Sequence, residues 1–247
     1  MLEIKNLYAS YGKEAVLEDI NLRIKKNKIT ALVGKNGCGK TSLALCIAGQ
    51  MKYDGKILFE GSDILKLDRT LRSRKISFLP QRLNAPHILI KDLVMFGRNP
   101  YMGLFKKPSK EDFLKVNEVI VLSGIEKIKE KYADSVSGGE LQKAYIAMIL
   151  AQDTELIILD EPTTYMDISF SAELFEILKK TNKTILVIMH DLACALKHAD
   201  EIAVLNKKQI AFSGKTYKCI ESGAFEEVFG VKVRSFEDNG KQFTVLE

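Results

Sequence analysis

A glycine-rich segment near the N-terminus has the residue types and the spacing that bind phosphate groups. The segment from Gly34 to Thr41 reads GKNGCGKT, which fits G-x-x-x-x-G-K-[ST], and it follows the apolar run Ile29 to Val33. Glycines let backbone N–H groups turn toward a phosphate, and the helix expected over 40–50 adds partial positive charge at its N-terminus. The pattern predicts that a nucleoside triphosphate is bound by Gly34, Lys35, Asn36, Gly37, Cys38, Gly39, Lys40, Thr41 and Ser42.

Four side chains predict that this nucleotide is hydrolysed with the help of Mg²⁺. We expect Lys40 to reach the β- and γ-phosphates and the Thr41 hydroxyl to ligate the ion. Asp160 and Glu161 end the apolar run Leu156 to Leu159, and two carboxylates at a buried strand end are costly unless a cation or a water needs them. Asp160 would hold Mg²⁺, directly or through water, and Glu161 would orient and deprotonate the attacking water. The alternative is a solvated strand end.

Other candidate positions are weaker when each is taken alone. The segment Ser137 to Glu140 reads SGGE, which fits equally well a helix capping box and a bare anion site at a helix N-terminus. His190 ends an apolar strand-like run and would lie beside the γ-phosphate if that strand is parallel to the one before Asp160. Gln81 and Tyr11 are uninformative by themselves, although an aromatic ring can stack on adenine.

Alternating strands and helices must position these residues. Short apolar runs predict strands over 2–4, 16–20, 22–24, 29–33, 57–59, 76–78, 156–159, 184–189, 201–205 and 209–212, and helical spacing occurs over 40–50, 91–96, 110–122, 140–152 and 169–180. This order predicts an α/β fold with a mixed, mainly parallel sheet, an N-terminal antiparallel β layer and an inserted helical subdomain. We expect a nucleotide-binding core over 1–82 and 151–230, the helical subdomain over 83–150 and a short tail over 231–247.

Composition narrows the class of protein. The chain has 247 residues, 46% of them apolar, and a formal charge of +5, which allows a sizeable core and is too small to indicate nucleic-acid binding. No apolar run approaches the roughly 18 residues of a membrane helix, and the N-terminus does not resemble a signal peptide. Four cysteines without metal spacing predict a reduced, cytosolic chain.

These motifs occur in one order in one chain, and together they resemble the nucleotide-binding subunit of an ABC transporter, from about Leu2 to about Gly230. The resemblance implies that Tyr11 stacks on adenine, that Gln81 contacts Mg²⁺ and water, and that His190 senses the γ-phosphate. It also implies a head-to-tail homodimer, in which Asp167 lies at the interface and each signature closes over the ATP of the other subunit. The signature residues are Ser137, Gly138, Gly139 and Glu140.

A narrower resemblance concerns the cargo. The segment Phe96 to Gly103 is similar to a Gly-Arg-x-Pro-His/Tyr-x-Gly stretch of the importer ATPases for iron–siderophores, haem and cobalamin, and Glu161 to Ile168 is similar to the same group. Glu140, Leu141, Met148 and Met166 depart from the usual residues. The resemblance implies a peripheral subunit at the cytoplasmic face of the membrane, with a separate permease and a substrate-binding protein. The alternative is a soluble ABC ATPase of a cytosolic machine, such as one for cofactor assembly.

Cys38 prompts one further expectation. A thiol at a helix N-terminus tends to have a lowered pKa, so we expect its alkylation to inactivate the protein and ATP to protect it.

Overall fold

The computed structural model describes residues 1–103, 107–163, 168–238 and 241–246. The chain divides into two compact units, the first made of Met1–Lys66 and Thr184–Glu247 and the second of Leu67–Lys183. The division expected from the sequence, into 1–82 with 151–230, 83–150 and 231–247, stays a prediction.

Twelve strands and nine α-helices occur in the described part of the chain. In chain order they are β1 (Leu2–Tyr11), β2 (Glu14–Ile24), β3 (Ile29–Gly34), α1 (Lys40–Ile47), β4 (Asp54–Phe59), β5 (Ser62–Asp63), α2 (Arg69–Lys75), β6 (Ile76–Leu79), α3 (Ile90–Met95), α4 (Lys110–Leu122), α5 (Gly138–Ala151), β7 (Leu156–Asp160), α6 (Ile168–Lys180), β8 (Thr184–Ile188), α7 (Leu192–His198), β9 (Glu201–Asn206), β10 (Gln209–Lys215), α8 (Thr216–Glu221), α9 (Ala224–Phe229), β11 (Val233–Asp238) and β12 (Lys241–Leu246).

The first unit contains an antiparallel sheet with the strand order β2-β1-β4-β5. In β1 the side chains of Leu2 and Ile4 are buried, and so are those of Leu7 and Ala9 beyond an irregularity in the pairing with β2. Within each of these two pairs the buried residues are two positions apart, because successive side chains of a strand point to opposite faces of the sheet. The predicted N-terminal antiparallel layer is therefore confirmed.

Parallel pairing dominates among the remaining core strands. In the first unit β3 lies between β8 and β9 and is parallel to both, and β10 is antiparallel to β9. In the second unit β6 and β7 are parallel. Every residue of β3, β7 and β8 is buried, as expected for parallel strands covered on both faces. The predicted mixed, mainly parallel sheet is confirmed.

The helical part of the second unit is held by α3, α4 and α5, which pack on one another. The helix predicted over 110–122 is α4, and a capping box starts it. The Ser109 hydroxyl accepts from the Asp112 N–H at 3.2 Å, and the Asp112 carboxylate accepts from the Ser109 N–H at 2.9 Å.

A buried ion pair fixes the 3-10 segment Phe96–Tyr101 to these helices. Arg98 donates from Nε to Asp112 Oδ1 at 2.9 Å and from Nη1 to the carbonyl of Ala151 at 2.8 Å. A Cβ on Gly97 would collide with the carbonyl of Met148, so only glycine allows this close approach to α5. Packing thus explains why Gly97 and Arg98 occur in the segment Phe96 to Gly103, whose sequence suggested a cargo class.

Several short elements were not predicted from the sequence. They are the helices α2, α7, α8 and α9, the two-residue strand β5, and the hairpin of β11 and β12, where the sequence suggested only a tail. The helix predicted over 91–96 is α3, one residue nearer the N-terminus. Helices of six or seven residues make fewer than two turns, so their periodicity is hardly visible, and α2 buries none of its side chains.

No helix in the described part of the chain combines the length and the apolar character that crossing a bilayer requires.

Candidate nucleotide site

The phosphate-binding segment is a loop between β3 and α1. β3 ends at Gly34 and α1 begins at Lys40. Gly37 and Gly39 have φ values of 75° and 109°, a left-handed region that side chains with a Cβ rarely adopt. A Cβ on Gly39 would also approach the carbonyl oxygen of Val16 to 2.7 Å. The loop therefore depends on glycine at both positions, as the sequence predicted.

Lys40 is the best indication that this loop receives an anion. Its side chain is buried, with a relative exposure of 5%, and Nζ donates to the carbonyl oxygens of Gly34 at 2.8 Å and Lys35 at 3.1 Å. Both acceptors are uncharged, so they satisfy hydrogen bonds without neutralising the ammonium group. A buried charge is costly until an opposite charge meets it, and a phosphate group meets that need.

The neighbouring positions differ in accessibility. Lys35, Asn36 and Thr41 are exposed, so their polar groups can reach a ligand. Ser42 is buried, with an exposure of 8%. The Thr41 hydroxyl lies in the first turn of α1, next to Lys40.

The expectation for the pKa of Cys38 is wrong. Burial raises the pKa of this thiol above its ordinary value, and the charge of Lys40 and the backbone N–H groups lower it by less. The sequence correctly showed a thiol at a helix N-terminus, but the extent of its burial is a property of the folded loop. The hypothesis that alkylation of Cys38 inactivates the protein stays a prediction.

Tyr11 and His190 belong to the same unit as the loop. Tyr11 is the last residue of β1, and 56% of it is exposed. His190 is exposed and follows β8, which is parallel to β3, and the N–H of Met189 donates to the carbonyl of Leu32 at 3.1 Å. Because β3 and β8 are parallel neighbours, His190 and the start of the phosphate loop lie at the same edge of the sheet.

Gln81 and Glu161 meet in the second unit, although 80 residues separate them. Gln81 donates from Nε2 to Glu161 Oε2 at 2.5 Å. Glu161 has a φ of 50°, a strained conformation for a residue other than glycine and one that clusters at functional sites. Asp160, the last residue of β7, is buried. The structure thus joins two residues that the sequence could assign only separately.

The segment Ser137 to Glu140 begins α5 with a complete capping box. The N–H and the hydroxyl of Ser137 both donate to Glu140 Oε2, at 2.9 and 2.8 Å, and the Glu140 N–H donates to Ser137 Oγ at 3.3 Å. The bond from the Ser137 N–H, and next the bond from its hydroxyl, hold the pKa of Glu140 below its ordinary value. The capping interpretation is therefore confirmed for the free chain.

Gly138 has a property that the capping box does not explain. A Cβ added there would meet no atom within 4 Å, and its φ is not positive. Alanine would be the better helix former by about 1 kcal/mol. Nothing within the described chain requires glycine at this position, whereas a ligand that approaches the backbone closely would require it.

One predicted residue lies outside the residues that the structure describes. Asp167 falls in the segment 164–167, which the structure does not describe.

Gln142 was not predicted from the sequence as a site residue, although it is a buried polar residue whose side-chain amide donates to the carbonyl of Pro162 at 2.9 Å. A glutamine on the apolar face of a predicted helix is the signal that could have identified it.

Three side chains, one in the first unit and two in the second, offer oxygen atoms of the kind that bind Mg²⁺. Thr41 offers a hydroxyl oxygen, Asp160 a carboxylate and Gln81 an amide oxygen, and Mg²⁺ prefers such oxygen ligands together with water and substrate phosphates. In the described part of the chain, no group of three or more His, Cys, Asp and Glu side chains could hold a metal.

Comparison with known proteins identifies the family. The family model described as ABC transporter matches residues 17–164, which is more than half of the chain. The petrobactin import ATP-binding protein YclP of Bacillus subtilis is 36% identical over 240 residues, which cover 94% of this chain and 94% of that protein.

Two solved structures show the same fold. A metal-chelate type ABC transporter in an inward-facing conformation has a TM-score of 0.85 and 25% identity, over 100% of this chain and 96% of that chain. The ATP-binding cassette MJ0796, dimeric and bound to ADP and Pi, has a TM-score of 0.77 and 25% identity, over 87% and 99% of the two chains. Together with the phosphate loop and the carboxylates of Asp160 and Glu161 at the end of β7, these matches show that the chain belongs to the ABC transporter family, as an ATP-binding subunit that hydrolyses ATP.

Proposed function

We propose that this chain powers the import of a metal chelate, and that two copies of it bind and hydrolyse ATP beneath a membrane permease. The observation that carries the nucleotide part is the buried Lys40, whose hydrogen bonds to carbonyls leave its charge for a phosphate. The observation that carries the hydrolytic part is the bond between Gln81 and Glu161.

The residues divide the catalytic work. The loop amides and Lys40 bind the β- and γ-phosphates, and Tyr11 stacks on the adenine ring. Glu161 orients the attacking water and accepts its proton, while Gln81 holds that carboxylate in place, and His190 hydrogen-bonds the γ-phosphate. Thr41, Gln81 and Asp160 would hold Mg²⁺, which neutralises charge on the phosphates when bound. Catalysis is then mainly positioning and electrostatic stabilisation.

A homodimer follows from the signature residues. No atom of the described chain lies within 4 Å of the position that a Cβ on Gly138 would occupy, so a ligand can approach the backbone there. A backbone N–H group at a helix N-terminus is a good anion ligand. We infer that Ser137, Gly138, Gly139 and Glu140 of one subunit close over the ATP of the other, with Asp167 at the same interface. The solved cassette MJ0796 is dimeric, which supports a dimer of this chain. Both sites of such a dimer are complete, so hydrolysis should be symmetric.

The cargo and the membrane partner rest on the relatives. YclP is named for petrobactin import, and the structure with the highest similarity reported above is of a metal-chelate type transporter. These names favour an iron–siderophore over haem or cobalamin. The segment Gly97 to Gly103 carries less weight, because packing explains Gly97 and Arg98. The subunit would lie at the cytoplasmic face of the membrane, bound to a permease that receives cargo from a substrate-binding protein.

Replacing Glu161 by Gln tests the proposed hydrolysis and dimer together. We expect ATP turnover to fall by about 100-fold or more, the scale of a lost general base, and MgATP to convert the monomer into a stable dimer. Turnover is measured by phosphate release and mass by light scattering after size exclusion. Glu155→Gln, at a half-buried residue paired with Lys75, is the matched control and should behave as the wild type. A Glu161→Gln variant with wild-type turnover would remove Glu161 from its role.

A second experiment tests the importer. Cross-linking in cells, followed by purification of the tagged chain from membranes, should recover an integral-membrane partner. Recovery of cytosolic partners alone would contradict import and favour a cytosolic machine.

A further inference from the structure

Helix α5 carries two polar side chains that contact the loops around the hydrolysis pair. Gln142 and Tyr145 are three residues apart in this helix and therefore lie on nearly the same face. One contacts the backbone immediately after Glu161, and the other contacts the backbone shortly after Gln81. The signature residue Ser137 caps the N-terminus of the same helix.

Gln142 secures the turn that contains Glu161. Its amide nitrogen donates to the carbonyl oxygen of Pro162 at 2.9 Å, and both residues are buried. Pro162 directly follows Glu161, whose φ is 50°. A residue keeps such a strained conformation only when its surroundings hold it there. The buried hydrogen bond of Gln142 is one of the contacts that do so.

Tyr145 secures the loop that contains Gln81. Its hydroxyl donates to the carbonyl oxygen of Asn84 at 2.7 Å. Residues 80–88 form neither helix nor strand, and the bond from Tyr145 is one of the contacts that hold this stretch in place. Burial raises the pKa of the Tyr145 phenol above its ordinary value, so the hydroxyl remains a donor at neutral pH.

We propose that Gln142 and Tyr145 are positioning residues for ATP hydrolysis, which hold the Gln81–Glu161 pair in its reactive geometry from the helix that begins at the signature. Neither residue needs to touch the nucleotide. This inference rests on the proposed function, because the pair is assigned there to the attacking water. If Ser137 meets the ATP of the partner subunit, about one and a half turns of α5 separate that contact from Gln142. The helix then makes hydrolysis at one site depend on occupancy of the other.

Two glutamines of the same helix region provide a matched test. Gln142→Met removes the bond to Pro162, and Gln152→Met removes a bond of the same kind, from Gln152 Nε2 to the carbonyl of Ser73 at 2.6 Å. We expect Gln142→Met to lower kcat by about 10- to 100-fold, since small displacements at a reacting centre have effects of this size, with KM for ATP within about twofold of the wild type. The two variants should lose similar amounts of thermal stability, but Gln152→Met should keep kcat within about twofold of the wild type.

Two tyrosines provide a milder pair of variants that should both fold. Tyr145→Phe removes the bond to Asn84, and Tyr101→Phe removes the bond from the Tyr101 hydroxyl to the carbonyl of Gln152 at 3.0 Å. We expect Tyr145→Phe to lower kcat by about 2- to 10-fold, the effect of one hydrogen bond, and Tyr101→Phe to leave it unchanged. Of these two variants, Tyr145→Phe should have a Hill coefficient for ATP that falls toward one, and Tyr101→Phe should keep the wild-type value.

The outcomes separate this inference from the proposed function. If the wild type does not hydrolyse ATP, or Glu161→Gln still does, the proposed function fails. If the wild type is active and Glu161→Gln is not, equal kcat values within both matched pairs would overturn the positioning role. A rise in KM with unchanged kcat would also overturn it, because that result assigns the residues to nucleotide binding.

Discussion

Lys40 and Arg98 are both cations that the fold buries, with exposures of 5% and 7%, yet they have opposite kinds of partner. Lys40 donates to two backbone carbonyls. Arg98 pairs with the carboxylate of Asp112 at 2.9 Å, donates to a carbonyl of α5, and lies 4.1 Å from the ring centre of Tyr101.

The difference separates a binding residue from a structural one. An ion pair whose two members are both buried is neutral as a unit, and breaking it leaves a charge without a counter-charge. An ammonium group that donates to carbonyls has hydrogen-bond acceptors, but these acceptors carry no negative charge. It therefore binds an anion well. Burial alone would not distinguish the two cations, because it is almost the same for both.

The largest expected effect is on catalysis at Lys40. We expect Lys40→Met to lower kcat/KM for ATP by about 1000-fold, because the positive charge that neutralises the transferred phosphate is lost. The free energy of unfolding, measured with urea, should stay the same or rise, since a buried charge has been removed. A large loss of stability would mean that Lys40 is structural after all.

Arg98 should show the reverse behaviour. We expect Arg98→Met to lower the free energy of unfolding by about 3 kcal/mol, because the Asp112 carboxylate remains buried without its partner. ATP should still raise the thermal midpoint of this variant, whereas it should not do so for Lys40→Met. The double variant with Asp112→Asn should recover part of the loss, and strict additivity would mean that the two side chains do not interact.

Acid should remove the contribution of the same ion pair. Burial raises the pKa of Asp112, but hydrogen bonds from Arg98 and Ser109 and the charge of Arg98 lower it by more, so it ends below its ordinary value. A carboxyl with a lowered folded-state pKa stabilises the protein above its unfolded pKa of about 3.9. The stability difference between wild type and Asp112→Asn should therefore be constant from pH 7 to about pH 5, and should shrink as the pH falls further toward the folded-state pKa.

The smallest expected effect is on the alkylation rate of Cys38, which depends on the charge of Lys40. That charge lowers the pKa of the thiol against the larger effect of burial, so Lys40→Met should raise the pKa further and slow alkylation by a maleimide at a fixed pH. The measurement is the rate of modification against pH, with the other cysteines replaced by serine. ATP should slow it in the wild type, and an equal slowing in Lys40→Met would contradict the assignment of the phosphate to Lys40.

Local features of the chain were predictable from the sequence. The phosphate loop, the strand before Asp160, the capping box at Ser137 and the helix α4 all depend on residues within about ten positions of one another. Spacing and residue type decide such features, since glycine freedom, strand burial and helix capping are properties of short segments.

Contacts between distant residues were decided only by the tertiary structure. The bond from Gln81 to Glu161 joins positions 80 residues apart, the bond from Gln142 to Pro162 spans 20 and the ion pair of Arg98 with Asp112 spans 14. The pKa of Cys38 was predicted in the wrong direction for the same reason. Burial and charge pairing depend on what the folded chain brings together, and these determine which buried cation binds a ligand and which one supports the fold.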